Sequence, residues 1–175
     1  MNRDWLALYS VENETDISGH LLTIYDTCIS LNAQHVLELG VRYGESSKAL
    51  LIALARTGGH LHAVDELRDK FDAPAFAELR AERRTFYNGH STTVEVPDLP
   101  WDLVLIDSSH TYDVTLAELR RFERTRCFIL HDWEPSRPQH GVDRAAFTFL
   151  SEQPSIWALS VRDGFNGLGV IKRRE

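Results

Sequence analysis

The chain has 175 residues, 43% hydrophobic and 26% charged, the composition of a folded protein with one sizeable core and not of a disordered chain or two full domains. Its 26 acidic against 19 basic residues leave a net charge of −7, which disfavours a nucleic-acid partner, since such binders usually carry a basic surplus. No run of about 18 uncharged apolar residues predicts a membrane span, and the start Met1-Asn2-Arg3-Asp4-Trp5 lacks the apolar stretch of a secretory signal.

In chain order, Leu21, Ile24, Tyr25, Cys28 and Leu31 fall at helical spacing and predict a helix over 18–32, with Asp16 or Ser18 as its N-cap. His35 to Leu39 reads as a short buried strand ending at Gly40, and 45–57 as a helix stopped by Gly58-Gly59. Leu61 to Val64 is a second strand ending at Asp65; Asp72 and Pro74 open a helix through Arg83; Thr85 to Tyr87 is a third strand. Trp101 to Ile106 is a fourth strand, ending at Asp107, and Asp113 caps a helix through Glu123. Cys127 to Leu130 is a fifth strand, ending at His131-Asp132, followed by a helix over 142–150. Ile156 to Val161 and Leu168 to Ile171 form a hairpin around Asp163-Gly164-Phe165-Asn166-Gly167. Cys28 and Cys127 lie in apolar runs and read as buried thiols of a reducing, cytoplasmic setting.

Strands alternating with helices imply a mostly parallel sheet covered on both faces, closed by an antiparallel hairpin. The whole of 1–175 is expected to form one domain, a helical extension over 1–33 followed by a Rossmann-like core over 34–175. Ligands of such sheets bind beyond the carboxyl ends of the strands, so Glu38, Asp65, Asp107, His131 and Asp132 are the polar residues to examine.

Gly40 and Gly44 flank the turn after the first strand, where glycine permits positive φ and close approach of a ligand. Taken alone, that loop suits a phosphate, a dinucleotide or no ligand. Arg42 stands where a dinucleotide fingerprint has its second glycine, and no Gly-Lys-Ser/Thr follows. Glu45, at the helix start, would repel a pyrophosphate. Glu38 suits an ammonium group, and Asp65-Glu66, 25 positions after Gly40, is placed to accept ribose hydroxyls. Together they favour a ligand with a ribose, a positive end and no phosphate.

Val36-Leu37-Glu38-Leu39-Gly40 with Gly44 resembles the first motif of class I S-adenosylmethionine-dependent methyltransferases. Asp16-Ile17-Ser18-Gly19-His20-Leu21, Ile106-Asp107-Ser108-Ser109-His110-Thr111-Tyr112 and His131-Asp132 extend the resemblance to small-molecule and sugar O-methyltransferases of the macrocin methyltransferase and cephalosporin hydroxylase-like group. The resemblance implies a class I methyltransferase fold with a seven-stranded, mostly parallel sheet, and transfer of a methyl group to a hydroxyl of a sugar, phenolic or polyketide-like small molecule. It implies that Gly40, Val41, Arg42, Gly44 and Ser46 hold the methionine part of the cofactor, Asp65 and Glu66 the ribose, and His90 and Ser91 the adenine, with Glu38 and Asp107 beside them. His90 stands where relatives often have Asp, and Ser108 where they have Gly.

Asp107 and Asp132 end consecutive strand–helix units and converge at one rim. With His131 they form a candidate site for Mg²⁺ or another divalent cation, which would stabilise an alkoxide; His131 favours a metal with more affinity for nitrogen. The alternative for both acids is helix capping. His110 is the candidate general base beside Asp107, because its pKa suits removal of a hydroxyl proton. Asp16, His20 and Trp133 are candidates for the acceptor pocket, for which only 1–33 and the 133–141 loop remain. The N-terminal extension would cover the site or pair two subunits into a homo-oligomer. Two rival readings stay open: a cofactor-binding module without transfer activity, and an NAD- or nucleotide-binding Rossmann protein.

Overall fold

The computed structural model describes residues 1–134 and 140–174. Its elements run α1 (Arg3–Glu12), α2 (Leu21–Ser30), β1 (His35–Leu39), α3 (Glu45–Thr57), β2 (His60–Asp65), α4 (Ala77–Arg83), β3 (Arg84–Asn88), β4 (Leu103–Ile106), α5 (Tyr112–Arg121), β5 (Cys127–His131), α6 (Val142–Glu152), β6 (Trp157–Arg162) and β7 (Leu168–Arg173). The seven strands form one sheet in the order β3-β2-β1-β4-β5-β7-β6. β1 to β5 are parallel, and β7 inserts antiparallel between β5 and β6. The hairpin thus does what its sequence foretold, and the fold is that of the class I methyltransferases.

The order reverses at β1: the chain first builds outward through β2 and β3, then returns to lay β4 on the other side. Flanking loops therefore part at the carboxyl ends of β1 and β4, and a crevice opens there. Alternation along the central strands divides the core. Val36, Leu61, Leu103 and Ile129 pack under α2 and α3, while Leu37, Leu39, Val104, Ile106 and Phe128 pack under α5 and α6. Both cysteines are free and buried.

Several local expectations shift. The helix expected over 18–32 begins with a 3-10 turn, Ser18–His20, before α2. Neither proposed residue caps it: the Ser18 hydroxyl is engaged with Thr15, and Asp16 pairs with Arg42. Asp113 is not the cap of α5; Thr111 takes that position and Asp113 sits in the first turn, where its charge still favours the helix dipole. The helix expected from Asp72 is a 3-10 turn at Pro74–Phe76 followed by α4. β4 starts at Leu103 because Asp102 turns aside to accept the backbone N–H groups of Gln34 and His35 at 2.8 and 3.1 Å. The extension contains an additional helix, α1, capped by Asn2 and anchored by buried Leu6. Among the described residues no helix is long and apolar enough to cross a membrane.

Candidate active site

The turn after β1 has the conformation its glycines were read for. Gly40 has φ +92°, and a Cβ there would lie 2.1 Å from the Asp107 carbonyl oxygen. Close packing of the β1 and β4 ends therefore requires glycine. Arg42, at φ +52°, is also left-handed. It is held there by Asp65, whose Oδ2 accepts Val41 N–H at 2.8 Å and Arg42 N–H at 3.0 Å, while Oδ1 accepts Leu67 N–H at 2.8 Å. Asp65 thus shapes the loop as well as facing the crevice.

A cavity of about 540 Å³ lies over these strand ends, walled by Gly40–Arg42, Val64–Leu67, Gly89–Ser91, Asp107–His110 and Asp16. A second, of about 480 Å³, is lined by Thr15–Ile17, Val41–Tyr43, Glu45, Ser46 and Asp107. The two share Asp16, Val41, Arg42 and Asp107. Of the expected cofactor residues, Gly40, Val41, Arg42, Asp65, Glu66, His90, Ser91 and Asp107 line the first cavity and Ser46 the second. Gly44 lies behind them as the left-handed N-cap of α3.

Glu38 does not reach either cavity. Alternation along β1 turns it under α3, where it is fully buried and accepts hydrogen bonds from Ser46 Oγ (2.6 Å) and Ser47 Oγ (2.5 Å). It joins β1 to α3 instead of meeting an ammonium group. Burial pushes its carboxyl up to about 7, against the two serines.

His110 and Asp132 are left-handed too, at φ +57° and +56°. With Arg42 they put three strained non-glycine residues at one sheet edge, a pattern found where function over-determines geometry. His110 Nε2 sits 3.0 Å from Asp107 Oδ1 and 3.1 Å from Asp132 Oδ2. His131 Nδ1 lies 3.0 and 3.4 Å from the same two oxygens. Its Nε2 donates to the carbonyls of Asp16 (2.9 Å) and Phe165 (3.1 Å). Burial opposes charge on His131, yet the two carboxylates outweigh it and push its pKa up to about 11. Burial likewise opposes ionisation of Asp132, but the imidazoles hold it near 2. Asp107 is held below, and His110 above, its ordinary value by the same reciprocal bonds against burial.

The Asp107, His131 and Asp132 ligand atoms all lie within 4.8 Å of one another. His131 offers Nδ1 while its other nitrogen is fixed by backbone carbonyls, the orientation typical of a metal-bound imidazole. One imidazole and two carboxylates fit a divalent cation tolerant of nitrogen better than they fit Mg²⁺.

Two of the three acceptor-pocket candidates line neither cavity. His20 donates from Nε2 to the Gly164 carbonyl at 2.8 Å and supports the hairpin turn. Trp133 is packed against Gly169 and Phe147. Asp16 lines both cavities and pairs with Arg42 across their mouth at 3.0 Å. Residues 135–139 of the loop expected to complete the pocket lie outside the described residues.

Residues 37–135 match the family model described as "Methyltransferase domain". The chain belongs to this methyltransferase domain family. No curated protein matches it in sequence. Among solved structures, the methyltransferase is similar to the O-methyltransferase TomG of Streptomyces achromogenes, involved in tomaymycin synthesis and in complex with SAM (18% identity, 90% of this chain and 81% of that one, TM-score 0.68). It is also similar to an O-methyltransferase of Bacillus cereus in complex with SAH (12% identity, 98% and 90%, TM-score 0.67). A third similar structure is the SAH-bound methyltransferase PaMTH1 of Podospora anserina (14% identity, 99% and 88%, TM-score 0.64).

Two features of the methyltransferase escaped the sequence reading. Glu45, read as repelling phosphate, is neutralised by Lys48 Nζ at 2.5 Å and accepts Tyr9 O–H at 2.8 Å, which ties α1 to α3 beside the second cavity. Glu118 is fully buried on α5 beneath Ser108. Its signal was legible: an acid amid Thr115, Leu116 and Leu119 on the buried stripe of that helix has to be serving a polar partner.

Proposed function

We propose that this chain is an S-adenosylmethionine-dependent O-methyltransferase acting on a hydroxyl of a small molecule of sugar, phenolic or polyketide-like type. The observation that carries the reading is the crevice at the β1/β4 switch, which has nucleoside dimensions and acid-rich walls. Asp16, Asp65, Glu66 and Asp107 line it, and its one guanidinium, Arg42, is already paired. Such walls favour a sulfonium and oppose a pyrophosphate.

In this reading the adenosine occupies the first cavity and the methionine chain the second. The reacting methyl then lies where they meet, near Asp107 and His110. The acceptor oxygen attacks the methyl carbon in line; the carbon–sulfur bond breaks with its electron pair going to sulfur, leaving a neutral thioether. The hydroxyl proton passes to His110, which Asp107 and Asp132 orient. Alignment of the two reactants can supply roughly 7–11 kcal/mol of the barrier. Asp107, Asp132 and His131 would hold a divalent cation, which when bound supplies Lewis-acid stabilisation of an alkoxide.

Titration calorimetry tests the reading. S-adenosylhomocysteine is expected to bind at about micromolar Kd, worth roughly 8 kcal/mol, with NAD giving no heat. Binding of NAD with none of S-adenosylhomocysteine would overturn it. So would tight cofactor binding without methyl transfer to any member of a hydroxylated-compound panel, which would leave a binding module.

A further inference from the structure

We propose that Glu118 makes the base end of the first cavity selective for a 6-aminopurine, by fixing the hydroxyls of Ser108 and Ser91 as hydrogen-bond acceptors toward the ligand; the proposal rests on the reading that this cavity takes an adenosine moiety. Glu118 is fully buried, and Ser108 Oγ donates to its Oε1 at 2.5 Å. Its Oε2 is sealed from solvent and has no hydrogen-bond partner among the described residues. A buried carboxylate oxygen without a donor is costly and rare, so a nearby hydroxyl is expected to serve it. Burial raises the pKa of this carboxyl, and the Ser108 and Ser91 hydroxyls lie close enough to oppose that shift and favour its ionised form. The segment bearing Ser91 is pinned over α5 by Arg121, whose guanidinium donates to the carbonyls of Ser91 (2.7 Å) and Val94.

Ser91 and Ser108 are both in the cavity wall. A serine hydroxyl has one proton and two lone pairs. Once each proton is committed to Glu118, the wall offers only lone pairs. It then accepts from an exocyclic amino group and opposes a 6-oxo group. His90 is engaged elsewhere: Nδ1 accepts Thr92 N–H at 3.2 Å, and Nε2 lies 3.5 Å from Glu66. The buried acid on α5 thus supplies, through the two serines, the acceptor character that His90 does not.

The test compares S-adenosylhomocysteine with S-inosylhomocysteine by calorimetry on the full chain. The wild-type protein is expected to prefer the amino compound by about 10- to 100-fold, the effect of leaving one buried polar group opposed instead of bonded. In Glu118→Gln the amide donates to one serine and frees its O–H, so the preference falls to about 3-fold or less. Ser91→Ala removes one of the two oriented hydroxyls while keeping Glu118 and its bond from Ser108, lowers the preference as well, and serves if the Gln variant melts early. A merely structural Glu118 would weaken both ligands alike and leave their ratio unchanged. An unchanged ratio in both variants, or equal binding of the two compounds by the wild type, overturns the proposal while the cofactor reading stands. Failure of S-adenosylhomocysteine to bind the wild type overturns both.

Discussion

Glu38→Gln should flatten the pH dependence of stability between about pH 4.5 and about pH 7. The Glu38 carboxyl is fully buried between β1 and α3, with only the hydroxyls of Ser46 and Ser47 to solvate it. Burial raises its pKa from the ordinary 4.5 to about 7, and Asp107 adds a smaller push. Because the folded value lies above the unfolded one, its stabilising contribution is complete below about pH 4.5 and is lost as pH rises through about 7. A difference of this size corresponds to about 3 kcal/mol. Glutamine keeps the shape: one serine still donates to Oε1 and the other accepts from Nε2. Urea denaturation of both proteins at about pH 4.5 and about pH 8 isolates the term, because other titrating groups cancel in the comparison. Relative to wild type, the variant should gain about 2–3 kcal/mol on going from the lower to the higher pH. An equal pH response in the two proteins would refute the argument that this carboxyl is ionised at the expense of the fold.

His62 should govern part of the acid limb. Burial against Trp101 and Tyr87, with His60 and His35 nearby, lowers its pKa from 6.5 to about 4. Its stabilising contribution is therefore present above about pH 6.5 and lost as pH falls toward 4, and His62→Leu should show a shallower loss by denaturant titration over that range. Gly40→Ala should lower stability by about 3 kcal/mol or more, since it combines positive φ with a backbone clash; a melting temperature within a degree or two of wild type would show that the loop can relax. Asp65→Ala removes the acceptor of three backbone N–H groups and should cost about 2–4 kcal/mol. It should also weaken S-adenosylhomocysteine by at least about tenfold in calorimetry, and unaltered affinity would separate the loop from cofactor binding. His110→Gln should slow methyl transfer by about 10²- to 10⁴-fold while changing S-adenosylhomocysteine affinity by no more than about threefold; an equal loss in both would mark His110 as a binding residue instead of a base.

The order of elements was legible because each strand is a short apolar run ending at a polar residue and each helix between them shows 3.6-residue spacing. Those run ends, Asp65, Asp107 and His131-Asp132, marked the sheet edge that carries the site, since parallel strands deliver their last residues to the same rim. Gly40 and Gly44 announced the left-handed turn because few other residues adopt it. What a side chain does at that rim was decided by tertiary structure. Glu38 and Asp65 both end apolar runs as acids, but the pleat turns Glu38 beneath α3 and leaves Asp65 facing the loop amides. His20 and Trp133 occur beside motif residues, yet the C-terminal hairpin, whose β7 lies against β5, claims both. His131 is adjacent to Asp132 in sequence, but its ring is also held by Asp107, at the end of another strand, and by the carbonyls at positions 16 and 165. Local sequence sets backbone preference and the alternation of faces. The partners that fix a polar group's protonation and direction come from distant parts of the chain, and only the folded sheet brings them within hydrogen-bonding distance.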